Sequence, residues 1–103
     1  MKKIKFMLEY QASPIWVYNS SGELLGNGWP EEMSNVPNIK ETLDQIENEY
    51  DSLFENTETV FRYRGFQNDD QRRIFMNKVS QVIELIKKYL GQEYEFEVRA
   101  INL

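Results

Sequence analysis

Asn38-Ile39-Lys40-Glu41-Thr42-Leu43-Asp44-Gln45-Ile46-Glu47-Asn48-Glu49-Tyr50-Asp51-Ser52-Leu53 decides the fold. Its apolar positions Ile39, Leu43, Ile46, Tyr50 and Leu53 follow spacings of 4, 3, 4 and 3, the period of an amphipathic helix of about four turns. Asn38 with Glu41 three residues later reads as an N-cap and capping box. At 100° per residue, Glu41, Asp44, Asn48, Asp51 and Glu55 fall on the face opposite the apolar stripe, so the outward stripe is almost wholly acidic.

The charge extends beyond this helix. Between Glu23 and Glu58 lie ten acidic residues and one base, Lys40, a local charge of −9 inside a chain of net −5. Exposed helices ordinarily mix Glu with Lys at i,i+4 for support. Here the countercharge is missing, and a polarised field of this kind steers a positively charged partner.

On the N-terminal side, Ile4, Phe6, Leu8 and Tyr10 alternate with Lys3, Lys5, Met7 and Glu9, a strand with one buried face. Ile15–Tyr18 is aromatic and β-branched, Asn19-Ser20-Ser21-Gly22 is turn chemistry with Gly22 free to take positive φ, and Glu23–Leu25 returns as a short strand. A loop follows through Trp29-Pro30-Glu31-Glu32 to Pro37.

On the C-terminal side, Thr57–Phe66 reads as a strand, with Thr59, Phe61 and Tyr63 on one face and Val60, Arg62 and Arg64 on the other. Asn68 and Gln71 repeat the cap pattern, and Asp69 and Asp70 suit a helix N-terminus. Phe75, Val79, Val82, Ile86 and Tyr89 form the stripe of a longer helix, which Gly91 should close in the left-handed conformation. Residues 92–101 alternate again. The order ββ(β)αβαβ implies an α+β fold: a mixed, mainly antiparallel sheet of four to five strands with both helices on one face. The second helix should join its flanking strands by a right-handed crossover and make that pair parallel. Residues 1–103 read as a single domain.

Several function classes drop out. The chain has no Cys and no His, which removes thiolate chemistry, Cys-based zinc sites and the commonest general base. Gly26-Asn27-Gly28 lacks the glycine and lysine pattern of a nucleotide loop. The serines have no activating partner, and paired carboxylates in so small a domain leave little room for a sugar cleft. Glu93, Glu95 and Glu97 stand parallel along a strand and do not converge on a metal; pairing with Arg62 and Arg64 accounts for them better. The acidic half would repel a nucleic-acid backbone. Fourteen aromatics exclude a disordered acidic tail. Ile4–Leu8 is too short for a signal-peptide core and no apolar run spans a bilayer, so a cytoplasmic protein with no membrane contact is expected.

The expected site is therefore a protein-binding surface without cofactor or metal: Glu41, Asp44, Asp51 and Glu55 as charge contacts, with Trp29, Glu31 and Glu32 at the edge, Trp being a favoured interface anchor. Trp29 could instead fold back to cap the core.

The residues Leu8-Glu9-Tyr10, Ser13-Pro14-Ile15-Trp16-Val17-Tyr18, Gly22-Glu23, Trp29-Pro30-Glu31-Glu32 and Tyr50-Asp51-Ser52-Leu53-Phe54 resemble the immunity proteins of polymorphic and contact-dependent toxin systems. The likeness spans most of the chain and rests on aromatics and turns, so it transfers no binding residue. It implies a non-enzymatic protein that neutralises a cognate toxin domain, with a basic nuclease as the partner that the charge fits. The alternative is a general interaction module or subunit of a larger complex, using a sheet edge or the aromatic loop. A small carboxylate-dependent hydrolase is a third possibility, and would need a close cluster of carboxylates inside a pocket.

Overall fold

The computed structural model describes residues 1–101. Strand β1 (Lys2–Phe6) pairs antiparallel with β2 (Ile15–Tyr18), which pairs antiparallel with β3 (Leu24–Asn27). A short 3-10 helix, Glu31–Asn35, leads into α1 (Ile39–Asp51). A small ribbon, β4 (Phe54–Asn56) with β5 (Phe61–Tyr63), comes next. Helix α2 (Asp69–Leu90) and strand β6 (Tyr94–Val98) complete the fold. The main sheet runs β3-β2-β1-β6. The α+β class, the two helices and the mixed sheet are as the sequence implies.

Alternation in β1 sets the layers. Ile4 and Phe6 are fully buried, while Lys3 and Lys5, which alternate with them, face outward. Ile15 and Tyr94 extend the same inner face across the sheet. Against it pack Met33 and Val36 from the 3-10 helix, Ile39, Leu43 and Ile46 from α1, and Phe75, Val79, Val82 and Ile86 from α2. Each such side chain contributes roughly 1.5–3 kcal/mol by leaving water. The stripes read from the 3.6-residue period are those that face the core, except that Tyr89 is exposed and Ile83 and Leu90 take its place.

Five local expectations are corrected. The parallel partner of β6 is β1, with Lys3 beside Glu95 and Lys5 beside Glu97. The strand expected at 57–66 does not join that sheet, because Thr57–Val60 is a tight turn (Thr57 N–H to Val60 carbonyl, 2.7 Å) that folds β5 back on β4. Consequently Glu97 lies near Lys3 and Lys5, at 3.9 and 3.8 Å, while Arg62 pairs with Glu55 and not with the C-terminal glutamates.

Asn38 is not a capping residue. Its φ of 56° is left-handed and its side chain accepts no helix N–H. The chain enters α1 from the 3-10 turn, with the Ile39 N–H bonded to the Val36 carbonyl at 3.3 Å, so Asn38 serves as the reversing residue. Asn68 does cap α2, its Oδ1 accepting from the Gln71 N–H at 2.9 Å. Gly91 ends α2 with φ −63°, not left-handed; glycine is needed there because a Cβ would stand 2.5 Å from the Lys87 carbonyl oxygen. Gly22 does take positive φ, 86°.

Candidate functional site

Helix α1 carries half of the acidic residues that lie between Glu23 and Glu58. Its inner face is fixed by Ile39, Leu43 and Ile46, so Glu41 and Asp44 are exposed by the same rotation that buries those three. Asp51, in the last turn, is half-buried, and its Oδ1 accepts the Gln11 backbone N–H at 2.9 Å. Glu55 is not on the helix. The helix stops at Asp51, and Glu55 sits in β4 with its Oε2 2.5 Å from Arg62 Nε. It is separated from the other three both in backbone and in charge, because the chain leaves the helix at Asp51 and is extended by Phe54.

Glu47 replaces it. The sequence reading passed over this residue, although it stands three positions after Asp44 and four before Asp51, the spacing of helix neighbours. Partial burial raises its carboxyl above the ordinary carboxylate range, and the charges of Asp51 and Asp44 push it the same way. Glu41, Asp44, Glu47 and Asp51 thus form a run down one side of α1. Among the described residues none of the four makes an ion pair. Glu49 does, with Lys78 of α2.

Trp29 is half-buried and folds back to pack against the core cluster. Glu31 and Glu32 are exposed on the 3-10 helix, and Glu32 Oε2 accepts a hydrogen bond from the Tyr94 hydroxyl at 3.2 Å. Burial first, then the Glu32 charge, raises the Tyr94 hydroxyl above its ordinary range. These three residues form a partly committed edge, fixed to the body of the protein.

A second surface adjoins the end of α1. Tyr10, Tyr50, Phe54, Phe61 and Tyr63 form an aromatic cluster on the β4–β5 ribbon, with ring centroids 4.8–5.6 Å apart. Behind the ribbon a groove of about 720 Å³ is lined by Glu49, Glu55, Arg64, Phe66 and Ile74, among others. Among the described residues no group of acids converges as a metal site requires, and no helix is long and apolar enough to cross a membrane.

The match that decides the class covers nearly all of these elements: residues 2–99 fit the family described as Serratia CdiI immunity protein-like. The chain belongs to that family. No curated protein matches it. Membership in the CdiI immunity protein-like family implies a protein toxin as partner. It also implies a role carried out by binding, without chemistry of the chain's own, and inhibition by occlusion demands neither of the residue types, His and Cys, that the chain lacks.

Proposed function

We propose that this immunity protein works in the cytoplasm and neutralises a toxin domain that carries a basic cleft, a nuclease being the activity such a cleft fits. Glu41, Asp44, Glu47 and Asp51 supply the charge, and the complex blocks or clamps the toxin without any reaction. The observation that carries this is the run of four carboxylates on α1, none of them ion-paired among the described residues. Opposite charge raises association rates by orders of magnitude, which suits an inhibitor that must reach its toxin before the substrate does.

The test is Asp44→Lys with Asp51→Lys, assayed against the cognate toxin domain, to be sought in the reading frame beside this gene. The affinity should fall by roughly 30- to 1,000-fold, or about 2–4 kcal/mol, with a cooperative melt whose midpoint drops only by what the lost Asp51 bond to the Gln11 N–H contributes, and cells expressing the toxin should lose protection. Unchanged affinity in a folded double variant would remove these residues from the interface.

A general adaptor is the second possibility, favoured by one feature: edge strand β3 exposes Leu24 and Leu25, each more than half accessible. An apolar interface there would respond little to salt.

A further inference from the structure

The β4–β5 ribbon is not needed by the main core. It hydrogen-bonds as a two-stranded unit and stays outside the four-stranded sheet. None of its residues belongs to the buried core cluster. An isolated two-stranded ribbon is marginal in water. This one is held by rings: Phe54 and Phe61 stack with 7° between their planes, and Tyr10 tilts against both at 4.8 and 5.0 Å. Asn56 donates from Nδ2 to the Tyr10 hydroxyl at 3.3 Å.

That packing uses only part of the rings. Phe61 remains 58% exposed and Tyr63 44%. Holding the ribbon down explains the inner ring faces and leaves the outer ones unexplained, and clustered exposed aromatics mark interaction sites.

The surrounding charges select the occupant. Arg62 is bound by Glu55 and Arg99 by Glu9, so these pairs cancel. Asp51 is tied to the patch through Gln11, the neighbour of Tyr10, and holds only a backbone N–H. Glu58 lies exposed in the turn between the two strands. Arg64, just past β5, has no ion pair among the described residues, but it lines the groove, whose lining does not include Tyr10, Phe61 or Tyr63. Set against it, Asp51 and Glu58 leave the balance negative, and Asp51 carries the carboxylate run of α1 to the edge of the aromatic surface. Rings with flanking carboxylates favour a guanidinium, which stacks on the ring while donating to the acid.

Resting on the immunity function above, we propose that the centre of the toxin contact is the outer ring face of the β4–β5 ribbon. There Phe61, Tyr63 and Tyr10 receive an arginine side chain from the toxin's basic surface, with Asp51 and Glu58 at the rim. The acidic helix then steers the encounter, and the ribbon holds the complex.

The experiment compares wild type with Phe61→Leu, which keeps apolar packing against Phe54 and Tyr10 but removes the π face. Calorimetric titration uses the cognate toxin domain, inactivated by an active-site substitution. The expected result is at least about a tenfold loss of affinity in Phe61→Leu, with a single cooperative melt at a slightly lowered midpoint because the ring contacts of Phe61 with Tyr10 and Phe54 are lost. In wild type, amides 54–63 should gain hydrogen-exchange protection when toxin is added, which tests the site even if the variant fails to fold. Full affinity in the variant, or protection of other segments with these amides silent, overturns the proposal and leaves the immunity function standing. Wild type that does not bind the toxin overturns both. A concentration-dependent dimer in sedimentation that Phe61→Leu abolishes, with toxin affinity intact, overturns it in favour of a second copy of the chain.

Discussion

Lys78 of α2 and Glu49 of α1 meet with Nζ 2.5 Å from Oε1, the one ion pair among the described residues that joins the two helices. Both side chains are half-buried. The contact therefore locks the helix seam, and it also removes one acid from the charge that α1 could offer a partner. Lys78→Met keeps the aliphatic stem and deletes the charge. Stability should fall by about 0.5–1 kcal/mol, the upper part of the range for accessible pairs, or roughly 2–8 °C in melting temperature. At the same time the freed Glu49 should quicken association with a basic toxin domain at low salt. Thermal melts and stopped-flow mixing check the two effects separately. A slower association would show that Lys78 itself touches the toxin.

Asn38 and Asn68 precede the two helices and look alike in sequence, yet they should respond oppositely to the same change. Asn68 caps through its side chain, and Ser caps as well as Asn; Asn68→Ser should stay within about 0.5 kcal/mol of wild type. Asn38 is left-handed with no capping bond, a conformation that costs most L-residues about 1–2 kcal/mol and that Asn visits readily. Asn38→Ser should cost about 1 kcal/mol in urea denaturation. Equal tolerance at both positions would mean that Asn38 is a cap after all.

The same pair shows how much the sequence reveals. Periodicity and turn chemistry act over a few residues, so α1, α2 and the β2–β3 hairpin around Gly22 are legible from the chain alone. The choice between β5 and β1 as the partner of β6 is not, because the alternation of Tyr94, Phe96 and Val98 satisfies either neighbour; it is decided by the turn at Thr57–Val60, which takes β5 away. Strand β4 is three residues long and hides in the tail of a helical pattern. The exposure of Glu41 and Asp44 follows directly from burial of Leu43 and Ile46. Glu55 shares the helix face only if the helical period runs one turn past Asp51, and β4 begins there instead; Glu47 stands three residues from Asp44 and four from Asp51, a spacing that the chain alone displays. The ring cluster needs Tyr10 brought beside Phe54 and Phe61, a contact between residues more than forty positions apart that no local pattern contains.

Glu47 gives a pH signature with a definite sign. Its carboxyl titrates above the ordinary carboxylate range in the folded protein, through burial and the like charges of Asp51 and Asp44. Between the ordinary value and the raised one, the folded state binds more protons than the unfolded state. Stability from this group is therefore full at low pH and is lost as pH rises through that window. Glu47→Gln should be more stable than wild type near neutrality, by up to about 0.5 kcal/mol from relief of i,i+3 and i,i+4 repulsion. The difference should vanish at about pH 3, where both proteins carry a neutral group. Urea midpoints at the two pH values settle it, and a gain that persists in acid would point to packing instead.

Steering by α1 and anchoring elsewhere separate in kinetics. Carboxylates held near a surface attract a basic partner over a Debye length, about 10 Å at 0.1 M salt and roughly 3 Å at 1 M. The association rate of wild type with its toxin should therefore fall by about ten- to a hundredfold across that range, while dissociation changes far less. Asp44→Lys with Asp51→Lys should start from a low rate and show little further salt dependence, since the charge being screened is gone. Glu31→Lys with Glu32→Lys should retain most of the wild-type slope if the proposed contact is made by α1, because these two charges sit on the separate 3-10 helix and not on the α1 run. If the pair on the 3-10 helix flattens the salt response as strongly as the pair on α1 does, the steering charge lies at the Trp29 edge, and the helix face is no more than a solvated surface.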